Sequence, residues 1–139
     1  MIVHAGLVAL RHEGLWRGAL ITGPSGSGKS DLALRCLEAG FRLVADDRVV
    51  LWTSGGQVYG KAPESLSGLL EVRALGVMNE APLPFAAVRL VVEAAPEPQR
   101  MPPEDDKQSL MGLEVARFRL SFLELSAPAK LRRALLHLG

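Results

Sequence analysis

The stretch that decides the fold is Leu15–Gly40, LWRGALITGPSGSGKSDLALRCLEAG. At its centre GPSGSGKS, Gly23–Ser30, satisfies the pattern G-x-x-x-x-G-K-[ST] in full. Leu15–Thr22 before it is an apolar run that reads as a buried strand. After it, Asp31, Arg35 and Glu38 fall on one face of a helix from Ser30 to Ala39, with Leu32, Ala33, Cys36 and Leu37 on the other. Asp31 precedes Arg35 by four residues, the favourable order for an ion pair, and Gly40 suits a left-handed stop. The context turns a loose pattern into a specific one. Gly23, Gly26 and Gly28 let the backbone curl so that N–H groups point inward at phosphate oxygens. The helix start adds its positive dipole end. Lys29 supplies an ammonium for terminal phosphates, and Ser30 a hydroxyl for Mg²⁺. Pro24, Ser25 and Ser27 complete the candidate nucleotide-binding loop. A flexible Gly/Ser turn would not explain Lys29 and Ser30 at the helix start.

Working outward, RLVADDRVV, Arg42–Val50, places two adjacent carboxylates inside an apolar segment. Burying an unpaired carboxylate is costly, and a metal, a cation or a raised pKa is the usual escape. In a strand–loop–helix–strand unit the second strand runs parallel to the first, and ligands bind at the carboxyl ends of such strands. Asp46 and Asp47 end that second strand, so they are expected beside the phosphates. Alternation along a strand sends neighbours to opposite faces, so the two cannot share one job while the strand stays regular. One suits Mg²⁺, directly or through water; the other suits taking a proton from a nucleophile.

The rest of the chain bounds this reading. At 139 residues a single domain, 1–139, is expected, and 48% hydrophobic with 22% charged residues is ordinary globular composition. A net charge of +1 carries no basic field for nucleic acid. No apolar stretch approaches a membrane span, and the N-terminus lacks the features of a signal peptide. The lone Cys36 permits no internal disulfide, fits a reducing cytoplasm, and reads as inert packing. Strands are expected at Val3–Leu10, Arg42–Ala45, Val49–Trp52, Gln57–Tyr59 and Ala86–Val92, with TSGG as a hairpin turn. Leu69–Val77 gives a mixed signal, and EAAPEPQRMPPEDDKQ reads as an exposed loop. Val115–Leu125 alternates partly, and a basic amphipathic helix is expected over Ala129–Leu138.

His4, GPSGSGKS, VADD (Val44–Asp47) and LEVRALGVMN (Leu70–Asn79) together resemble the catalytic domain of the HPr kinase/phosphorylase family, which phosphorylates a serine of the phosphocarrier protein HPr. The last motif is far more specific than the glycine-rich loop. The resemblance implies an α/β fold with a P-loop unit in a largely β-sheet domain, of the PEP carboxykinase-like P-loop kinase type. It implies ATP and Mg²⁺ as cofactors, HPr as partner, a cytoplasmic location and a homohexamer. Asp47 resembles the family's proton acceptor, with Asp46 as a supporting acid; Ser30 and Glu71 resemble the Mg²⁺ ligands. Arg73, two residues from Glu71, would share a strand face with it, and Arg100 resembles a catalytic arginine. His4 resembles a histidine near the phosphate site, although more residues separate it from Gly23 than in the family.

Two departures qualify the resemblance. Ala74 replaces a glycine of the signature, so the backbone there should be ordinary or tolerate a small side chain. The family's arginine/glycine-rich loop near the C-terminus, associated with phosphate-dependent dephosphorylation, has no good copy. LSAPAKLRRALL stands there, with Lys130, Arg132 and Arg133 as weak substitutes or merely a solvated helix face. Kinase activity is therefore better supported than phosphorylase activity. The loop alone would also permit a small-molecule kinase or simple P-loop NTPase, or a regulatory module that binds ATP and catalyses nothing.

Overall fold

The computed structural model describes residues 1–97, 101, 103 and 105–139. Its elements run β1 (Ile2–His4), β2 (Gly6–His12), β3 (Leu15–Thr22), α1 (Lys29–Glu38), β4 (Arg42–Ala45), β5 (Arg48–Ser54) and β6 (Gln57–Lys61). After a 3-10 turn at Glu64–Leu66 come β7 (Leu69–Val72), β8 (Gly76–Asn79), β9 (Ala86–Ala94), β10 (Lys107–Leu110), β11 (Leu113–Leu120) and α2 (Ala127–His137). The result is a mixed α/β fold, mostly sheet.

Nine strands form one sheet: seven run in the order β1-β5-β6-β9-β3-β2-β4, and β11 pairs with β9 past the end of its short pairing with β6 and carries β10. β3, β9 and β11 are parallel, while β2 is antiparallel to both β3 and β4. β4 therefore points the same way as β3, as the strand–loop–helix–strand reading requires, but β2 lies between them. The carboxyl ends of β3, β4, β9 and β11 thus share one rim of the sheet. That rim carries the glycine-rich loop after β3 and the acidic pair after β4.

Both sheet faces are buried. On one, α1 contributes Leu32, Ala33 and Cys36 and α2 contributes Leu131 and Leu135 against Val8, Ile21, Leu43, Leu90 and Val92. On the other, Val49, Leu51 and Val58 of the β5–β6 hairpin pack with Leu7, Leu20, Val44 and Val91 of the central strands. Coverage on both faces explains why β2, β3 and β9 read as nearly continuous apolar runs rather than alternating ones. Truncating a leucine in such a core costs about 2–5 kcal/mol.

Several expected elements shift. Val3–Leu10 is two strands, not one: β1 pairs with β5 and β2 with β3, so the chain changes partner at buried Ala5. The β5–β6 hairpin turns at Gly55–Gly56, within the expected TSGG. The mixed segment Leu69–Val77 is resolved as the hairpin β7–β8, a separate two-stranded sheet. Val115–Leu125 is a strand only as far as Leu120, where β11 leaves its register with β9. The C-terminal helix starts at Ala127, with Pro128 in its first turn, where a missing N–H costs nothing.

Candidate functional site

The glycine-rich loop joins β3 to α1 as expected. Gly26 (φ 81°) and Gly28 (φ 97°) take left-handed conformations that a side chain would strain. Gly28 caps α1, and its carbonyl accepts the first helical hydrogen bond, from the Leu32 N–H at 2.9 Å. The N–H groups of Lys29 and Ser30 consequently have no partner within the helix, and the helix dipole reinforces them. Ser27 Oγ is buried without a partner among the described residues. Lys29 turns its ammonium back on the loop, donating to the carbonyls of Gly23 at 2.7 Å and Pro24 at 3.0 Å. These are neutral acceptors, which an anion would outcompete for the charge.

The acidic pair is separated more sharply than strand alternation requires. Between β4 and β5 the Asp46 carbonyl accepts a hydrogen bond from the Arg48 N–H at 2.8 Å, and the intervening Asp47 has φ 71°. Closing a turn over one residue with positive φ is rare and strained, and strain of this sort gathers at functional sites. Asp46 is 5% exposed, the one buried charged side chain among the described residues. Its carboxylate accepts from Ser30 Oγ at 2.9 and 3.0 Å and from the Glu71 N–H at 3.1 Å. Hydrogen bonds to the charged form are what make such burial tolerable.

Asp47 points into solvent instead. Its neighbour Arg48 approaches it at 3.6 Å, and its carbonyl accepts from the Ala5 N–H at 3.2 Å. That bond ties the turn to the end of β1, where His4 lies across from Arg48. His4 is exposed at this rim beside the acidic turn.

Glu71 is exposed on β7, and only its backbone touches Asp46. Arg73 does not share a strand face with it: β7 ends at Val72, and Arg73 lies in the turn to β8. Among the described residues no ion pair links the two. Ala74, in the same turn, has φ 72°, so its backbone keeps the left-handed shape that a glycine would adopt without strain. Of the two expected alternatives, the ordinary conformation is excluded, and the left-handed backbone carries the small side chain instead. Arg100 lies outside the described residues.

Among the described residues no three His, Cys, Asp or Glu side chains converge to hold a metal. Ser30, Asp46 and Glu71 nevertheless bring a hydroxyl and two carboxyl-bearing residues to one end of α1. That sparse oxygen set suits Mg²⁺, which keeps several waters and completes its shell with phosphate oxygens. The empty donors of the loop suit a polyphosphate.

Sequence reasoning missed three contributors. Asp46 reaches the β7–β8 hairpin through a backbone N–H, a contact no side-chain pattern announces. Gly6, at the start of β2, lies beside Asp46, and a Cβ there would make ordinary contact with Asp46 Oδ1 at 4.0 Å. Arg35, read as a solvated partner of Asp31, does pair with it at 3.0 Å. It also donates to the carbonyls of Phe122 and Glu124, tying the segment after β11 to α1. The buried Cys36 thiol is pushed up to about 12 by desolvation, in line with inert packing.

A family model described as the HPr Serine kinase C-terminal domain matches residues 1–85. The chain belongs to that family. The matched span includes His4, the whole glycine-rich loop, both aspartates and the β7–β8 hairpin. The HPr kinase/phosphorylase of Geobacillus thermodenitrificans is 38% identical over 116 residues, covering 74% of this chain and 38% of that protein. The HPr kinase/phosphorylase of Brevibacillus brevis is 52% identical over 63 residues, covering 45% of this chain and 20% of that protein. The chain thus spans well under half the length of these curated relatives. The solved structure of the Hpr(Ser) kinase/phosphatase from Coxiella burnetii superposes with a TM-score of 0.77 at 24% identity, covering 98% of this chain and 97% of that one. At that identity the likeness speaks for the fold. Among the described residues no helix is long and apolar enough to cross a membrane.

Proposed function

We propose that residues 1–139 form one catalytic domain, of the PEP carboxykinase-like P-loop kinase type, that uses ATP and Mg²⁺ to phosphorylate a serine of HPr in the cytoplasm. The observation that carries this reading is the Asp46 carboxylate, which joins Ser30 at the helix start to the hairpin bearing Glu71. A passive nucleotide sensor has no need to bury a charge at that junction. The names of the relatives supply HPr as the acceptor.

Mg²⁺ and ATP, when bound, supply charge neutralisation and the phosphoryl group. Ser30 and Glu71 would hold the metal, with Asp46 fixing the Ser30 hydroxyl so that its oxygen lone pairs stay available. Lys29 would leave the Gly23 and Pro24 carbonyls for the terminal phosphates. The N–H groups at the start of α1 and Ser27 Oγ, the latter without a partner among the described residues, would donate to the other phosphate oxygens. Asp47, exposed on its strained turn, is the base for the incoming serine hydroxyl. His4 and Arg48 beside it would orient the acceptor. Arg73 and Arg100 remain the proposed cations for charge developing on the transferred group. Catalysis of this kind is mostly positioning plus electrostatics. A homohexamer, suggested by the family resemblance, belongs to this proposal.

The test is mass spectrometry of purified HPr after incubation with the chain, ATP and Mg²⁺, beside a Lys29→Ala control. Phosphoserine that the control lacks is the expected result. ATP hydrolysis with no phosphate on HPr would sink the reading in favour of another acceptor or a simple NTPase.

A further inference from the structure

The segment that follows β11 presents its apolar side chains to water. Leu123 is 82% exposed and Leu125 is 93% exposed. The intervening Glu124 carbonyl and the preceding Phe122 carbonyl both accept from the Arg35 guanidinium on α1. Phe122 itself is buried in the core beside the helices, and the Glu124 carboxylate pairs with Lys130 on α2. The Ala127 N–H returns to the Glu124 carbonyl at 3.1 Å. These anchors fix the backbone on both sides of each leucine. The two leucines are therefore held out by a built segment rather than left out by a loose one.

Their place in the fold gives that exposure a meaning. A Cβ added to Gly28 would sit 3.7 Å from Leu123 Cδ2, so Leu123 borders the glycine-rich loop directly. On the sheet, β11 and β4 lie on opposite sides of β3, with β9 and β2 between. The hairpin tethered to Asp46 after β4 also exposes two large apolar residues, Leu75 and Val77. The start of α1 thus has Leu123 on one flank and, on the other, the hairpin that exposes Leu75 and Val77.

We infer that Leu123 and Leu125 form a docking ledge for the protein that accepts the phosphoryl group, with Leu75 and Val77 as its counterpart across the loop. The inference rests on the function proposed above, because it names the surface by which that acceptor is held. An acceptor hydroxyl must come to the loop, so the protein carrying it must lie over whatever borders the loop. The shape also favours a protein over the nucleobase. A base is bound in a cleft that buries most of its surface, whereas a side chain 93% exposed has no opposing wall. The acceptor is accordingly expected to carry an apolar patch next to its serine.

The experiment compares the parent chain with a Leu123→Ala/Leu125→Ala variant, measuring initial rates of HPr phosphorylation and binding of a fluorescent ATP analogue. A Leu75→Ala/Val77→Ala variant gives a second, independent reading. Both pairs are exposed, so the melting temperature should match the parent's and exclude a folding defect. The ledge predicts a rise in KM for HPr of about tenfold, roughly 1.4 kcal/mol. kcat at saturating HPr and affinity for the ATP analogue should stay within about twofold. An unchanged KM for HPr in the first variant overturns the inference. If ATP affinity falls while KM for HPr does not, the leucines serve the nucleobase and the inference is wrong. If only the oligomeric state changes, the ledge faces a second copy and the inference is again wrong. Failure of the parent chain to phosphorylate HPr would instead bring down the proposed function, and the ledge with it.

Discussion

Ser30 Oγ lies 2.9 and 3.0 Å from the two carboxylate oxygens of Asp46, across sixteen residues of sequence. This bond links the helix that follows the glycine-rich loop to the end of β4. Because Asp46 also accepts from the Glu71 N–H, one buried carboxylate fixes the relative position of both proposed metal ligands.

Replacing Asp46 should therefore damage both stability and catalysis. Asp46→Ala leaves the Glu71 N–H and the Ser30 hydroxyl without their acceptor, a loss of about 1–3 kcal/mol. A fall in melting temperature of about 3–10 °C is expected. Asp46→Asn keeps the shape but loses the charge, and should lower kcat/KM for HPr about a hundredfold or more. A variant with normal Tm and normal kinetics would show that the bond does nothing.

Asp47 should behave differently, because its side chain is exposed and held by little. Asn also tolerates positive φ, so Asp47→Asn should melt within about 1–2 °C of the parent. If Asp47 is the proposed base, its removal should still lower kcat by about 10²–10⁴-fold. Paired thermal melts and single-turnover rates on the two aspartate variants separate the roles. Equal kinetic losses with equal destabilisation would mean that the division of labour is wrong.

Ala74 offers a gain. With φ 72° the alanine carries a conformational cost that glycine lacks, about 1 kcal/mol. Ala74→Gly should raise Tm by a few degrees, partly offset by the greater freedom of glycine in the unfolded chain. Destabilisation on chemical denaturation would show that the Ala74 methyl makes a contact that outweighs the strain.

Cys36 should be inert and should also couple stability to high pH. Burial raises the folded thiol from 9.0 to about 12, so the unfolded chain loses its proton first as pH rises. The contribution is fully present below pH 9 and is lost progressively from there to about 12. The slope is about 1.4 kcal/mol per pH unit. Cys36→Ala should flatten that part of the stability curve. Rapid alkylation of the native protein by iodoacetamide at pH 8 would contradict the burial.

Some of this was written in local sequence and some was not. The strand, glycine-rich loop and helix of Leu15–Glu38 were legible because apolar periodicity, glycine placement and the Lys-Ser pair all act within a few residues of one another. The Asp31–Arg35 pair, the Gly55–Gly56 turn and the burial of Cys36 are short-range in the same sense. The importance of LEVRALGVMN was legible from its resemblance to a family motif, but its hairpin was not. Its turn needs positive φ at Ala74, and alanine gives no signal for that. The split of Val3–Leu10 was hidden for another reason: a change of strand partner leaves an apolar run looking uniform when both faces are buried.

The sequence by itself determined which chemical groups are present, in what order, and that a strand leads into a helix through a loop able to hold anions. Tertiary structure decided which carboxylate is buried and which is exposed. Adjacent aspartates are equivalent on paper, and only the tight turn between β4 and β5 sends Asp46 inward to Ser30 and Asp47 outward to solvent. It also decided that Arg35 holds the segment after β11 and that Leu123 borders Gly28, nearly a hundred residues away along the chain. Such contacts depend on strand order, since β9, far along the chain, pairs beside β3 and β11 pairs beside β9. Local propensities carry no record of that order, because it is fixed by how two sheet faces and two helices can all be buried at once.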